Sequence, residues 1–265
     1  MAMIKDDFYM ILTVDVGNTN IVLALFEDGK ITAVSRVSTV RDRMADEYAV
    51  LMRNIALLHG MELTTLSGAI ISSVVPPLTS QIRKAIRTVF GVNALVVGPG
   101  LKTGLNIRID DPSQLGSDLV CGSVAAAAKY PLPCVVADLG TATKFTVVDK
   151  SGSFLGGAIM PGIKISLDAL SQGTAQLPHI SLDSTPRSVI GTNTVDCMRS
   201  GIIYGNASMI DGMIARFKDE LGDDLTVVAT GGLAEDIVPH CRSRIILNRD
   251  LLLEGLYLLY IKNTK

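Results

Sequence analysis

The chain has no tryptophan and only six tyrosines and six phenylalanines in 265 residues, so it offers few flat platforms on which bases or sugar rings could stack. Charge of one sign is equally scarce. Lysine and arginine number 24 against 26 aspartates and glutamates, for a formal net charge of −2. No run of five like charges occurs, which argues against a polyanion-binding face, an acidic tail or a nucleic-acid partner. The four cysteines are Cys121, Cys134, Cys197 and Cys241. None forms a CxxC pair, so zinc and dithiol redox chemistry have no support, and the thiols read as reduced and mostly buried. No apolar stretch approaches the ~18 residues of a membrane span. The opening MAMIKDDFYM places Lys5, Asp6 and Asp7 where a secretory signal would carry its apolar core. The expectation is a cytoplasmic protein with no membrane partner.

What the chain has instead is apolar mass. Hydrophobic residues make up 48% and charged residues 19%, with a mean hydropathy of +0.39, a composition that builds a sizeable core and excludes charge-driven disorder. The length admits one large domain or two lobes. Self-comparison favours two. Residues 11–20 read ILTVDVGNTN and residues 134–143 read CVVADLGTAT, which sets Asp15 and Asp138 123 residues apart at the same point of one pattern. The continuations agree. IVLALFEDGKITAVSRV is a strand, an Asp28-Gly29 turn and a second strand, and KFTVVDKSGSFLGGAIM repeats this with its turn at Lys150-Ser151-Gly152.

Helical patterns follow each meander. Residues 45–59 place Tyr48, Leu51, Ile55 and Leu58 on one face. Residues 79–90 form another helix, after the strand AIISSVV and a breaker at Pro76-Pro77. Asp111-Pro112 reads as the cap and first residue of a helix reaching about Tyr130, and residues 193–220 and 250–262 read as longer helices. Short strands are expected at 94–97, 225–229 and 244–247. This alternation predicts an α/β fold of two related lobes: an extension over residues 1–9, an N-terminal lobe over 10–115 and a C-terminal lobe over 116–265.

The repeated loop is the first candidate for chemistry. Gly17 lets the backbone turn tightly, and the amides and short side chains of Asn18, Thr19 and Asn20 can donate to a phosphate. Asp15, at a strand end, is placed to hold a divalent cation directly or through water. Asp138-Leu139-Gly140-Thr141-Ala142-Thr143 offers the same groups from the second lobe, and two such hairpins facing each other would make a cleft for one nucleotide. No GxxxxGK[ST] or strand-to-helix GxGxxG occurs, so neither a P-loop nor a dinucleotide fingerprint is present. Thr230-Gly231-Gly232, after the strand LTVVA, could let the backbone approach a flat ligand such as adenine. His59, His179 and His240 stand apart from one another and read as structural.

The set DVGNTN, GLKTGLNI at 100–107, GSD at 116–118, DLGTAT, GGAIMPG at 156–162, GTNT at 191–194 and TGGLA resembles the type III pantothenate kinase family. That family belongs to the acetate and sugar kinase, heat-shock chaperone and actin superfamily, and the resemblance covers residues 10–262 in the family's order. It implies two duplicated actin-like, ribonuclease H-like lobes with an ATP cleft between them, and ATP-dependent phosphorylation of pantothenate. It further implies that Asp15, Val16, Gly17, Asn18, Thr19, Asn20, Ile21 and Val22 form the first phosphate loop and that Thr141 also contacts ATP. Asp138 would bind a monovalent cation, K⁺ or NH₄⁺, beside the Mg²⁺ that accompanies ATP. Gly116, Ser117, Asp118 and Leu119 would contact pantothenate with Asp118 as the base, Thr194 would be another contact, and the enzyme would be a homodimer.

The sequence departs from the commonest family pattern in three places. Leu119 stands where Arg is usual, Ile109 where Tyr is often found before Asp110, and Lys144 replaces the more usual Thr after DLGTAT and adds a positive charge near the loop. The first change removes a planar donor fork from the substrate region. Two other readings stay open: a non-catalytic nucleotide-binding or transcription-accessory protein on this scaffold, and a kinase for another small hydroxylated acceptor.

Overall fold

A computed structural model describes residues 9–182, 186 and 188–264, so the expected extension over residues 1–9 lies, apart from Tyr9, outside the described residues. The chain forms two compact units. The first takes the chain up to Gly104, then Ser113–Ala125 and the stretch from Leu252 onward; the second takes Leu105–Pro112 and Ala126–Leu251. The units therefore interleave, where the sequence suggested a single boundary near residue 115.

In the first unit, β1 (Met10–Val16), β2 (Asn20–Glu27) and β3 (Lys30–Ser38) form the expected meander. Its second turn carries Asp28 at φ 48° and Gly29 at φ 81°, the pair of positive φ values that a two-residue hairpin favours. Helix α1 (Ala45–Leu58), β4 (Leu66–Ser73), α2 (Pro76–Phe90) and β5 (Leu95–Val96) follow, and the sheet order is β3-β2-β1-β4-β5. Leu12, Val14 and Val16 of β1 pack with Tyr48 and Met52 of α1 and Leu78, Ile82 and Ile86 of α2. Ile11 and Phe26 point to the opposite face and are also buried, which is why β1 reads as a nearly continuous apolar run. Pro76 and Pro77 occupy the first two positions of α2 and do not precede it. First-turn residues need no N–H for the helix ladder, so proline is tolerated there.

The C-terminal helix α7 (Leu251–Thr264) covers this second face, which accounts for its place in the first unit. Tyr257 stacks on Phe26 with ring centroids 4.6 Å apart. The side chain of Asn263 accepts from the Lys102 N–H at 2.9 Å and donates to the Lys102 carbonyl at 3.0 Å. Helix α3 (Ser117–Lys129) runs close beneath α7, so close that a Cβ on Gly255 would overlap the Cys121 carbonyl. It starts at Ser117, and Pro112–Gln114 form only a short 3₁₀ turn. The expected start at Pro112 is thus displaced to Ser117, preceded by Gly116, whose carbonyl accepts from the Val120 N–H.

The second unit repeats the plan. β7 (Cys134–Leu139), β8 (Ala142–Val148) and β9 (Ser153–Pro161) form its meander, followed by α4 (Ile163–Gln172), α5 (Thr194–Leu221), β10 (Thr226–Thr230), α6 (Ala234–Ile237) and β11 (Ile246–Leu247). Its sheet order, β11-β10-β7-β8-β9-β6, is that of the first unit with β6 (Asn106–Ile107) added outside β9. Strand by strand, β1 corresponds to β7 and β4 to β10. Val135, Ala137 and Leu139 pack with Ile163 and Leu167 of α4 and Met198, Ile202 and Ile203 of α5. Within this unit His240 meets the Tyr204 ring edge-on, and in the first unit the exposed His59 shares a hydrogen bond with Ser35.

Gly255→Ala tests the α7–α3 approach, because propensity and packing give opposite signs. Alanine should gain ~1 kcal/mol as a helix former, but overlap with a backbone carbonyl should cost about 1–3 kcal/mol. The expected outcome is a lower denaturation midpoint; a raised midpoint would refute the close approach.

Candidate active site

In the first unit, the phosphate-loop candidate is centred on the three-residue connection between β1 and β2. The Gly17 N–H donates to the Asn20 carbonyl at 2.9 Å, and a Cβ on Gly17 would lie 3.0 Å from that oxygen. The loop is anchored from outside as well: Thr39 donates through its hydroxyl to the Gly17 carbonyl at 2.7 Å, and Arg41 donates to Asn18 Oδ1 at 3.2 Å. Asp15 lies opposite Val22 on β2 and beside Ser72 on the parallel neighbour β4. Its carboxylate end is thereby fixed from both sides of the strand.

Helix α3 starts at the same end of the sheet. Ser117 Oγ lies 3.1 Å from Ser72 Oγ, accepts from the Ser73 N–H at 3.0 Å and reaches the Ser73 carbonyl at 3.1 Å. This serine cluster ties the N-terminus of α3 to the C-terminal end of β4. Asp118 follows in the first turn, where a Cβ on Gly116 would come 2.6 Å from its Oδ1. Only glycine before Ser117 leaves the carboxylate that room. Burial pushes the Cys121 thiol well up, and the Asp15 and Asp118 carboxylates push it the same way. Both carboxylates therefore act on one buried sulfur, so Asp15 and Asp118, distant in sequence, belong to one neighbourhood of the first unit. The serine cluster was not anticipated; Ser72 and Ser73 in the AIISSVV run were its only signal.

In the second unit, the corresponding connection between β7 and β8 is one residue shorter, with the Gly140 N–H donating to the Ala142 carbonyl at 3.2 Å. Asp138 lies opposite Lys144, and Lys144 Nζ stands 2.8 Å from Asp138 Oδ2, with the two side chains 19% and 14% exposed. At this burial, removing one partner of such a pair commonly costs about 3–5 kcal/mol, since it leaves the other charge uncompensated. Thr141 is held from below: a Cβ on Gly162 would overlap its carbonyl. Gly231, at φ 96°, packs against the Leu139 backbone and Asp138 Oδ1. The close approach that demands glycine at Gly231 is made to β7, and the helix after it, α6, has only four residues.

Thr194 is the first residue of α5, whose N-cap Asn193 accepts from the Asp196 N–H at 2.9 Å. It lines a surface pocket of about 450 Å³ with Leu170, Leu177, Cys197, Met198, Gly201 and Ile202. Ile109, the first departure in the substrate region, lies 3.7 Å from where a Cβ on Gly156 of β9 would sit. Leu119 turns its side chain back toward Gly116. Among the described residues no group of three His, Cys, Asp or Glu side chains could hold a metal ion, and no helix is long and apolar enough to cross a membrane.

Two meander-led units with one sheet order define an actin-like α/β fold of the kind found in ATPases and sugar kinases. The ethanolamine utilization protein EutJ from Carboxydothermus hydrogenoformans aligns with a TM-score of 0.56 over 94% of this chain and 89% of that one, at 16% identity. A ROK hexokinase from Thermus thermophilus aligns at 0.51 over 96% and 98%, at 13% identity. Sequence narrows the class. The type III pantothenate kinase family profile matches residues 11–216. Type III pantothenate kinases from Roseiflexus sp. and Moorella thermoacetica are 45% and 43% identical, covering 96% of this chain and 99% and 100% of their own lengths. This chain belongs to the type III pantothenate kinase family.

The two kinds of cysteine give a direct check on the Cys121 neighbourhood. Cys197 is exposed, whereas Cys121 is buried and burial pushes the Cys134 thiol up to about 12. With a disulfide reagent at pH 8, Cys197 should react in the native protein, and Cys121 and Cys134 only after unfolding. Native labelling of Cys121 at the rate of Cys197, read by peptide mass spectrometry, would contradict its place beneath Asp15 and Asp118.

Proposed function

We infer that this chain transfers the γ-phosphoryl group of ATP to the primary hydroxyl of pantothenate, giving 4′-phosphopantothenate and ADP, the first step of coenzyme A biosynthesis. The observation that carries the reading is family membership over nearly the full chain, together with the serine contacts that tie the first turn of α3, which carries Asp118, to the strand beside Asp15. ATP enters as its Mg²⁺ complex. Mg²⁺ commonly keeps several waters and takes one or two carboxylates besides phosphate oxygens, a demand that Asp15 at its strand end fits.

In this reading the loop Asp15 to Val22 and Thr141 hold the nucleotide, with amides and hydroxyls as donors to the phosphates. Gly116, Ser117, Asp118, Leu119 and Thr194 hold pantothenate. The Ser117 hydroxyl is engaged with β4, so it acts by positioning the first turn of α3. Asp118 takes the hydroxyl proton as the substrate oxygen bonds to the γ-phosphorus and the bond to the bridging oxygen breaks, releasing ADP. Leu119 cannot supply the donor fork of an arginine, so orientation of pantothenate falls to the remaining contacts.

The family resemblance also asks for K⁺ or NH₄⁺ at Asp138, and the residues there do not fit an added ion. The carboxylate already holds the Lys144 ammonium at 2.8 Å. A second positive charge ~4 Å from the first would be repelled by about 4 kcal/mol at an effective dielectric near 20. The enzyme is cytoplasmic and a homodimer in this reading. Leu155, Ile159, Ile165 and Leu170 leave apolar surface exposed on the second unit, Ile159 at 72%, which supports a self-association face.

Asp118→Asn should lower kcat by roughly 10²–10⁴-fold, the usual effect of a positioned base, as read by pantothenate-dependent ADP release. Full activity would remove Asp118 from that role, and bound ATP without turnover in the native chain would favour the non-catalytic reading. Ile159→Asp should shift the native mass measured by light scattering from dimer to monomer; an unchanged dimer places the interface elsewhere.

A further inference from the structure

The Asp138–Lys144 pair is set by the backbone. The two residues are direct partners in the β7–β8 register, so their side chains leave the sheet on the same face and meet without any reach across a loop. On its other side the carboxylate is closed in by glycine backbone. An atom added to the Cα of Gly231 would come 2.7 Å from Oδ1, and one added to Gly140 would come 3.4 Å from it. The carboxylate thus sits between two glycines and one ammonium.

The first unit provides an internal control. There the strand-end aspartate, Asp15, has Val22 as its cross-strand partner, so a lysine at this position is not part of the shared hairpin pattern. The lysine belongs to the second copy alone. It stands beside the residue at which the cation is expected, and its terminus is an alkyl derivative of ammonium, one of the two ions the family resemblance names.

We propose that the Lys144 ε-ammonium is the monovalent cation of this enzyme, covalently tethered, so that turnover needs neither K⁺ nor NH₄⁺. The proposal rests on the kinase reading above. A tethered cation on a rigid strand is present at a high effective concentration and gains nothing from added salt. It carries the same single positive charge to the same carboxylate, with three N–H donors, one of them taken by Asp138 Oδ2.

The experiment compares the full chain and Lys144→Met, which keeps the length of the stem, in KCl, NH₄Cl, NaCl and choline chloride at equal ionic strength. ADP release by the native chain should agree within about 2-fold across the four salts, because only general screening acts. Lys144→Met should lose about 10²-fold in choline chloride, the scale of removing one fixed electrostatic contact, and K⁺ or NH₄⁺ should restore much of it. The melting midpoint supplies a second readout that needs no substrate. It should be the same in K⁺ and choline for the native chain and higher in K⁺ for Lys144→Met, since an ion that binds only the folded state raises it. Lys144→Arg, which keeps the charge, should stay independent of K⁺ in both. A native chain activated or stabilised specifically by K⁺ or NH₄⁺ overturns the proposal, as does a folded Lys144→Met that no cation rescues. Absence of ADP release by the native chain in every salt would instead overturn the kinase reading, and the melting comparison would still decide whether Lys144 excludes the ion.

Discussion

The placement of an aspartate at the carboxyl end of a central strand is the constraint on which the rest of each unit depends. β1 has an antiparallel partner on one side and a parallel one on the other, and β7 is flanked in the same way. A strand held from both sides cannot slip its register without moving its whole buried set to the wrong face. Asp15 and Asp138 are therefore held at their strand ends by the packing of Val14, Val16, Ala137 and Leu139. The same register brings Ser72 beside Asp15, and Ser72 meets the serine that begins α3. From one strand end the sheet thus positions a loop, a carboxylate and the helix that carries Asp118.

Much of this was legible in the sequence, and the reasons for success and failure are physical. The duplication was readable because a strand ending in Asp-apolar-Gly leaves a local signature, and the two sheet orders agree strand for strand. Helices α1, α5 and α7 were readable from periodicity and stop signals. The start of α2 was misplaced because proline at a helix N-terminus and proline as a breaker look alike without knowledge of which carbonyls need donors. The start of α3 was misplaced because Asp111-Pro112 has the form of a cap, while the contacts that fix the start, those of Ser117 with Ser72 and Ser73, are tertiary. Helix α4 and β6 were not anticipated, the latter because a two-residue edge strand carries no periodicity to detect.

The candidate site divides along the same line. Its loop residues could be named from spacing, since glycine and short polar side chains at a strand end announce themselves locally. The partners could not. That Ser117 belongs to Ser72 and Ser73, that Cys121 lies between the influence of Asp15 and Asp118, and that Gly231 serves β7 are long-range facts set by parallel pairing and helix docking. The Lys144 substitution was visible as an added charge, but only the β7–β8 register shows that the charge falls on Asp138.

That register also bears on the charge that the proposed function requires of the repeated loops. The proposed ligand is a tetra-anionic nucleotide, and a chain of net charge −2 gives it no general attraction, so neutralisation has to be local. Copying a hairpin that ends in aspartate adds a negative charge each time. One such carboxylate is useful, because it can share the divalent ion that arrives with the phosphates. A second would oppose the ligand unless a cation covers it. With valine opposite Asp15 and lysine opposite Asp138, only the second copy has a cation as the cross-strand partner of its aspartate. The two hairpins share a backbone plan, and the cross-strand position facing each aspartate is one place where they differ in charge.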